Sequence, residues 1–197
     1  MIISGGTRPA RTSAATVSAR SAPTHNPNHD MITNLEQLYY DQLRDLYSAE
    51  TQLISALPEM VANASDSDLR KAFSQHLEET KNHRARLEEI CANHGIDPAG
   101  EDCEAMRGLI KEAKKHVSET EPGVVRDAVL IASANRVEHY EIAAYGVAKA
   151  FAKTLGFDDA AGILDDTLDE EGHADKVITK IATGGLLGSG VNEAAVR

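Results

Sequence analysis

The chain has 197 residues, 4% of them aromatic and none of them Trp, and a formal net charge of −11. That length suits one domain with a tail and a core of its own, and the helix-forming composition disfavours a sandwich or barrel. The acidity argues against nucleic acid or an anionic membrane as partner, and no apolar run approaches the ~18 residues of a membrane span.

Residues 1–30 are rich in Ser, Thr, Ala, Arg and Pro, lack periodicity and carry Arg8, Arg11 and Arg20. They read as a disordered N-terminal tail, an upstream mis-start before Met31 or a transit-like extension. A first helix is expected from Thr33, which forms a capping box with Glu36. Its stripe is Leu35, Tyr39, Leu43, Leu46, Leu53, Leu57 and Val61, and Pro58 should kink it or end it. A second helix is expected over 66–94, with Leu69, Phe73, Leu77, Leu87, Ile90 and Cys91 inward, Gly95 closing it and Pro98 barring continuation. Cys91 and Cys103 make no CxxC pattern, which suits a reduced, cytoplasmic compartment.

Residues 96–122 form a long connection with one amphipathic piece at 101–117. Glu121-Pro122-Gly123 then opens a third helix that Gly156 closes. This third helix is apolar on nearly every side, as expected of a helix buried at the centre of an assembly. The fourth helix spans 158–181, and Gly184, Gly185, Gly188 and Gly190 mark a flexible C-terminal tail over 184–197. Two long-helix hairpins joined by ~27 residues imply a connection that travels the length of the bundle. The expected fold is all-α: a ferritin-like antiparallel four-helix bundle over 31–183, with a long crossover and an extra short helix between the second and third long helices.

Carboxylates stand in the apolar stripes. Glu138 lies almost on the axis of the stripe Ile131, Ala134, Ile142 and Tyr145, with Glu141 on its flank, taking ~100° per residue. Glu50 is central on the first helix and Glu171 on the fourth, with Asp175 one turn beyond. On the second helix His76 and His83 share the stripe, and Glu79 lies at its edge within reach of His83. Glu50, Glu79, Glu138 and Glu171 sit about four turns into their helices, so they meet at one level. Ionised carboxylates are almost never buried unless paired or bound to metal, and Arg84 and Lys149 are the main inward bases. The donor set suits Fe, Mn or another hard-to-borderline ion, with a purely structural polar network as the alternative.

Single residues carry less weight: a lone mid-helix Glu is usually solvated, and His76 alone reads as a hydrogen-bonded core histidine. Glu170-x-x-His173 has the spacing of di-iron bundles, but His173 points off the apolar face and Glu170 sits at its margin. That pair is the second choice to Glu171 and Asp175.

The segments Asp45-Leu-Tyr-Ser-Ala-Glu50, His76-Leu-Glu-Glu-Thr80, Met106-Arg-Gly-Leu-Ile110 and Val137-Glu-His-Tyr-Glu-Ile-Ala143, with Ala144-Tyr-Gly146, resemble the YciF-like branch of the ferritin-like superfamily, bacterial stress-associated proteins. The resemblance covers about residues 33–181. It implies a dimeric bundle with a rubrerythrin-like carboxylate site. Carried onto this chain, it places metal carboxylates at Glu50, Glu79, Glu138, Glu141 and Glu171, with His83 and Asp175 as further ligands. His139 belongs to the signature but points off the core, a structural or interface position. The Cys-rich electron-transfer module of true rubrerythrins is absent, so sustained turnover would need an external electron donor.

Three functions follow as expectations. The first is a stress-response protein whose di-iron or di-manganese centre reacts with O₂ or peroxide, with Tyr39, Tyr47 and Tyr145 as hydrogen-bond donors around it. The second is a non-enzymatic, oligomeric stress protein with a structural or vestigial polar core. The third, an iron-storing cage, fits less well because neither the second nor the fourth helix follows the simple di-iron spacing.

Overall fold

The computed structural model describes residues 31–184 and 189–196. The tail expected over 1–30 lies outside these residues, as do 185–188 and Arg197 of the Gly-rich end. The described residues form six helices: α1 (Leu35–Asn63), α2 (Ser67–His94), α3 (Glu104–Ser118), α4 (Val124–Leu155), α5 (Asp158–Thr183) and α6 (Val191–Ala194).

Local chemistry accounts for the ends. α1 starts one residue later than expected: Asn34, not Thr33, is the cap, and its side chain accepts from the Gln37 N–H. Gln37 Oε1 in turn accepts from the Thr33 backbone N–H at 2.8 Å, a reciprocal cap shifted by one position. Pro58 sits inside a continuous α1. The residue faces solvent, where water can satisfy the carbonyl that the missing N–H frees. Asp66 caps α2 by accepting from the N–H groups of Asp68 and Leu69, and Gly95 ends it at φ 67°, a backbone region where Gly has no Cβ penalty. Gly156 does the same for α4 at φ 77°. α3 starts three residues later than expected, because Cys103 remains extended and accepts from Met106 N–H as the cap.

α1 pairs with α2 and α4 with α5, while α1–α4 and α2–α5 contacts close the four-helix square. Asp127, early in α4, accepts from the backbone N–H groups of Ser65 (2.6 Å) and Asp66 (3.0 Å). α4 therefore begins at the end of the bundle where α1 stops. At the opposite end Tyr39, His94 and Phe157 stack together, bringing the start of α1 beside the end of α2 and the α4–α5 turn. The crossover must climb the full bundle between these ends, and α3 rides on α1 and α4 as it does so. The all-α, antiparallel four-helix arrangement with one long crossover is the observed fold.

The C-terminal residues do more than the sequence suggested. Val191 is buried, and Gly190 approaches the end of α5 so closely that an added Cβ would stand 2.2 Å from the Ala182 carbonyl oxygen. Only glycine fits there.

The apolar core is in two parts. One cluster holds Leu53, Leu57, Leu69, Phe73, Leu130, Ile131 and Ile178. The other holds Tyr39, Leu43, Leu46, Leu87, Ile90, Ala148 and Leu164. The residues between them on each stripe are polar and buried: Glu50, His76, Thr80, His83, Glu138, Glu141 and Glu171.

Candidate metal centre

Each long helix contributes to this middle layer. α1 brings Glu50, α4 brings Glu138 and Glu141, and α5 brings Glu171, all 0–1% exposed. α2 brings His83 and His76, at 0% and 4%. The donor atoms fall into two groups, within each of which all lie no more than 4.8 Å apart: His76, Glu138, Glu141 and Glu171, and Glu50, His83 and Glu171. Glu171 belongs to both. His83 Nδ1 is 2.9 Å from Glu171 Oε1 and 3.5 Å from Glu50 Oε1. His76 Nε2 is 3.4 Å from Glu138 Oε1 and 3.9 Å from Glu171 Oε2.

These atoms converge on one point, with His83 Nδ1 and Glu171 Oε1 at 2.9 Å the nearest of the pairs above, yet few of them meet a well-aligned partner. Glu50 Oε2, both nitrogens of His76, His83 Nδ1, Glu138 Oε2 and both carboxylate oxygens of Glu141 and Glu171 are buried and lack a hydrogen-bond partner. Leaving even one buried polar group unpaired costs about 1–3 kcal/mol, so several on one point call for a shared partner. Nor does a basic side chain provide one among the described residues. Arg84 reaches Glu88 at 3.7 Å and Lys149 pairs with Asp165, so the two inward bases expected from the sequence both turn away from the layer. Oxygen and imidazole donors without thiolate suit a hard-to-borderline metal ion, and either group of residues could hold one.

Of the seven ligands read from the sequence, Glu50, His83, Glu138, Glu141 and Glu171 are brought together and two are not. On α2, Thr80 and Glu79 flank the axis through His76 and His83 by similar angles. Thr80 is the one turned inward, at 0% exposure. The Glu79 side chain remains 26% exposed at the rim, 3.6 Å from His76 Nδ1, and accepts from Gln75. On α5, Ala174 takes the inward position beside Glu171. Asp175 turns to α4, accepting from Asn135 Nδ2 at 2.7 Å and lying 3.5 Å from the exposed ring of His139.

His76, which alone reads as a core histidine but shares the stripe with His83, lies at the centre. Its signal was the seven-residue step to His83, which puts both rings on one face. Glu170 has a different part. Its Oε2 is 2.7 Å from His83 Nε2, and Arg86 grips it with two hydrogen bonds of 2.7 and 2.9 Å. That contact occupies the outer nitrogen of His83 and leaves Nδ1 for the centre, the usual task of a carboxylate behind a metal-bound histidine. Of the three tyrosines expected around the site, Tyr145 donates to Glu50, while Tyr47 donates to Glu88 and the buried Tyr39 hydroxyl has no partner.

Burial, reinforced by the neighbouring carboxylates, raises Glu138 and Glu141 well above the ordinary carboxylate range. Burial also raises Glu50, against the opposing effect of His83. Burial would lower both histidines, but the surrounding carboxylates win. His76 is lifted to about 9, chiefly by Glu138, and His83 to about 11 by Glu171 and Glu50. The metal-free layer thus holds protons that cations would have to displace.

A family model described as a domain of unknown function, DUF892, matches residues 34–195. Protein YciF of Escherichia coli K12 is 41% identical over 149 residues, covering 75% of this chain and 90% of YciF. The solved structure of that E. coli stress protein aligns with a TM-score of 0.73 at 40% identity, over 76% of this chain and 94% of YciF. YcfI of Rhodopseudomonas palustris aligns with a TM-score of 0.76 at 41% identity, over 79% of this chain and 98% of its own. A Xanthomonas campestris protein at 16% identity, TM-score 0.62, shares the fold over 83% of this chain and 94% of its own.

Proposed function

The chain belongs to the DUF892 family, and from that premise we propose that it is a stress-response, metal-binding protein of ferritin-like form. It holds two iron or manganese ions in the bundle core. Glu50, His83 and Glu171 would hold one ion, and His76, Glu138 and Glu141 together with Glu171 would hold the other. The observation that carries this reading is the set of buried, unpaired oxygen and nitrogen atoms converging from four helices. When bound, the ions would supply redox chemistry toward O₂ or peroxide.

The chain's own residues do the rest. Tyr145 orients Glu50 by donating to it, and Glu170 fixes the ring of His83. Above and below, the two apolar clusters keep water from the layer, where each charge interaction is therefore stronger. A homodimer and an external electron donor belong to the same proposal.

The test is elemental mass spectrometry of protein purified without chelator, beside Glu138→Ala. About two Fe or Mn per chain, with a clear loss in the variant, is expected. Equal metal in both proteins, or none in either after incubation with Fe²⁺ or Mn²⁺, would favour the structural polar core instead.

A further inference from the structure

His76 lines a pocket between α2 and α5. The pocket's interior is about 30 Å³, enough for a water-sized guest. Ala72, Gln75 and Glu79 line it from α2 and His173 from α5, and no Lys or Arg does. The His76 ring spans it from rim to centre: Nδ1 faces Glu79 Oε2 at 3.6 Å and Nε2 faces Glu138 Oε1 at 3.4 Å. Both nitrogens are unpartnered although the residue is only 4% exposed. Glu79 is the carboxylate at the mouth, its side chain 26% exposed beside the His76 ring.

We infer that this pocket is the port through which a divalent transition-metal cation reaches the buried ligands. Glu79 takes the ion from water and His76 hands it inward to Glu138 and Glu171. The inference rests on the metal-centre reading above and adds the route. It gives Glu79 a place just outside the centre: a carboxylate that governs how fast ions arrive, not how many stay. Val177 and Ile178 also line the pocket, and Glu79 is its one carboxylate; a lone carboxylate there draws cations from water, a gain that falls as salt screens the charge.

The probe is Co²⁺, mixed with metal-free full-length protein in a stopped-flow instrument. Quenching of tyrosine emission gives the signal, because the chain has five Tyr and no Trp and Tyr145 hydrogen-bonds Glu50. Glu79→Ala removes the outer carboxylate, and Ala72→Phe plugs the pocket from its solvent side. Glu78→Ala is the charge control, since Glu78 is exposed, pairs with Lys81 and does not line the pocket. Both port variants should take up Co²⁺ about tenfold more slowly, with the amount bound at equilibrium unchanged. Release to a chelator should slow in Ala72→Phe as well, while Glu78→Ala behaves as wild type.

Wild-type uptake rates in both port variants would overturn the port. So would a Glu79→Ala protein that loads at the normal rate but binds less, which would make Glu79 a ligand. Wild-type protein that takes up no Co²⁺ sinks centre and port together, whereas normal binding with unslowed variants sinks the port alone.

Discussion

Sharing of Glu171 between the two donor groups gives a graded prediction. Glu171→Gln and Glu141→Gln are nearly isosteric changes at two fully buried carboxylates on neighbouring helices. Glu141 belongs to one group and Glu171 to both. At a free-ion concentration about 100 times Kd, each filled group stabilises the fold by about 2.7 kcal/mol. In a domain of this size that is about 5–11 °C in Tm per ion, so wild type should gain about 10–20 °C on loading. Glu141→Gln should keep about half that gain through Glu50, His83 and Glu171, and Glu171→Gln should keep almost none. The assay is differential scanning calorimetry of each protein with and without Mn²⁺, beside titration of bound metal per chain. The comparison is internal to each variant, so any change in metal-free stability drops out. Equal Tm gains in the two variants, or a full gain in Glu171→Gln, would refute the shared-carboxylate arrangement.

Two other outcomes follow from the same geometry. The histidines are raised to about 9 and about 11 and Glu138 and Glu141 are raised by burial, so binding a cation at neutral pH must expel protons. Affinity should therefore rise with pH between about 6 and 8, and calorimetry in buffers of different ionisation enthalpy should show net proton release; pH-independent affinity would contradict it. Glu170→Ala frees the outer nitrogen of His83 and should weaken Mn²⁺ binding by about 10–100-fold, with Glu170→Gln, which can still accept from Nε2, recovering much of it. Equal affinity in all three proteins would make Glu170 a mere partner of Arg86.

The long helices were legible because their ends are set by local chemistry: Asp66 and Gly95 bound α2, and Gly123 and Gly156 bound α4. The level of the site was legible too, since antiparallel hairpins bring mid-helix positions to one height. Azimuth was harder. Glu79 and Thr80 are about equally displaced from the His76–His83 axis, and only the packing of α2 against α1 and α5 turns Thr80 inward. Asp175 and Ala174 present the same choice on α5. The inward role given to Arg84 and Lys149 failed for another reason, because long side chains reach carboxylates on the rim, Glu88 and Asp165, that a helical wheel does not place. The packing of Val191 depends on Gly190 meeting the end of α5, a contact with no local signature.

The departures from the usual di-iron spacing compensate one another. That template takes Glu-x-x-His from each of two helices and one Glu from each of the others. Here α2 offers Thr80-x-x-His83, and α5 offers Glu171-x-x-Ala174, so one carboxylate and one histidine are missing. Ala174 is small and buried directly across from α2, which leaves room for His76 to reach over from α2 and approach Glu171 and Glu138. The missing carboxylate is made good by Glu141, one turn from Glu138 on α4. The total is still four carboxylates, Glu50, Glu138, Glu141 and Glu171, with two imidazoles. Two divalent cations would cancel the charge of four carboxylates. A single one would leave the remaining charge to protons on the carboxylates or on His76 and His83, so the proposed pair of ions should expel more protons than one ion would.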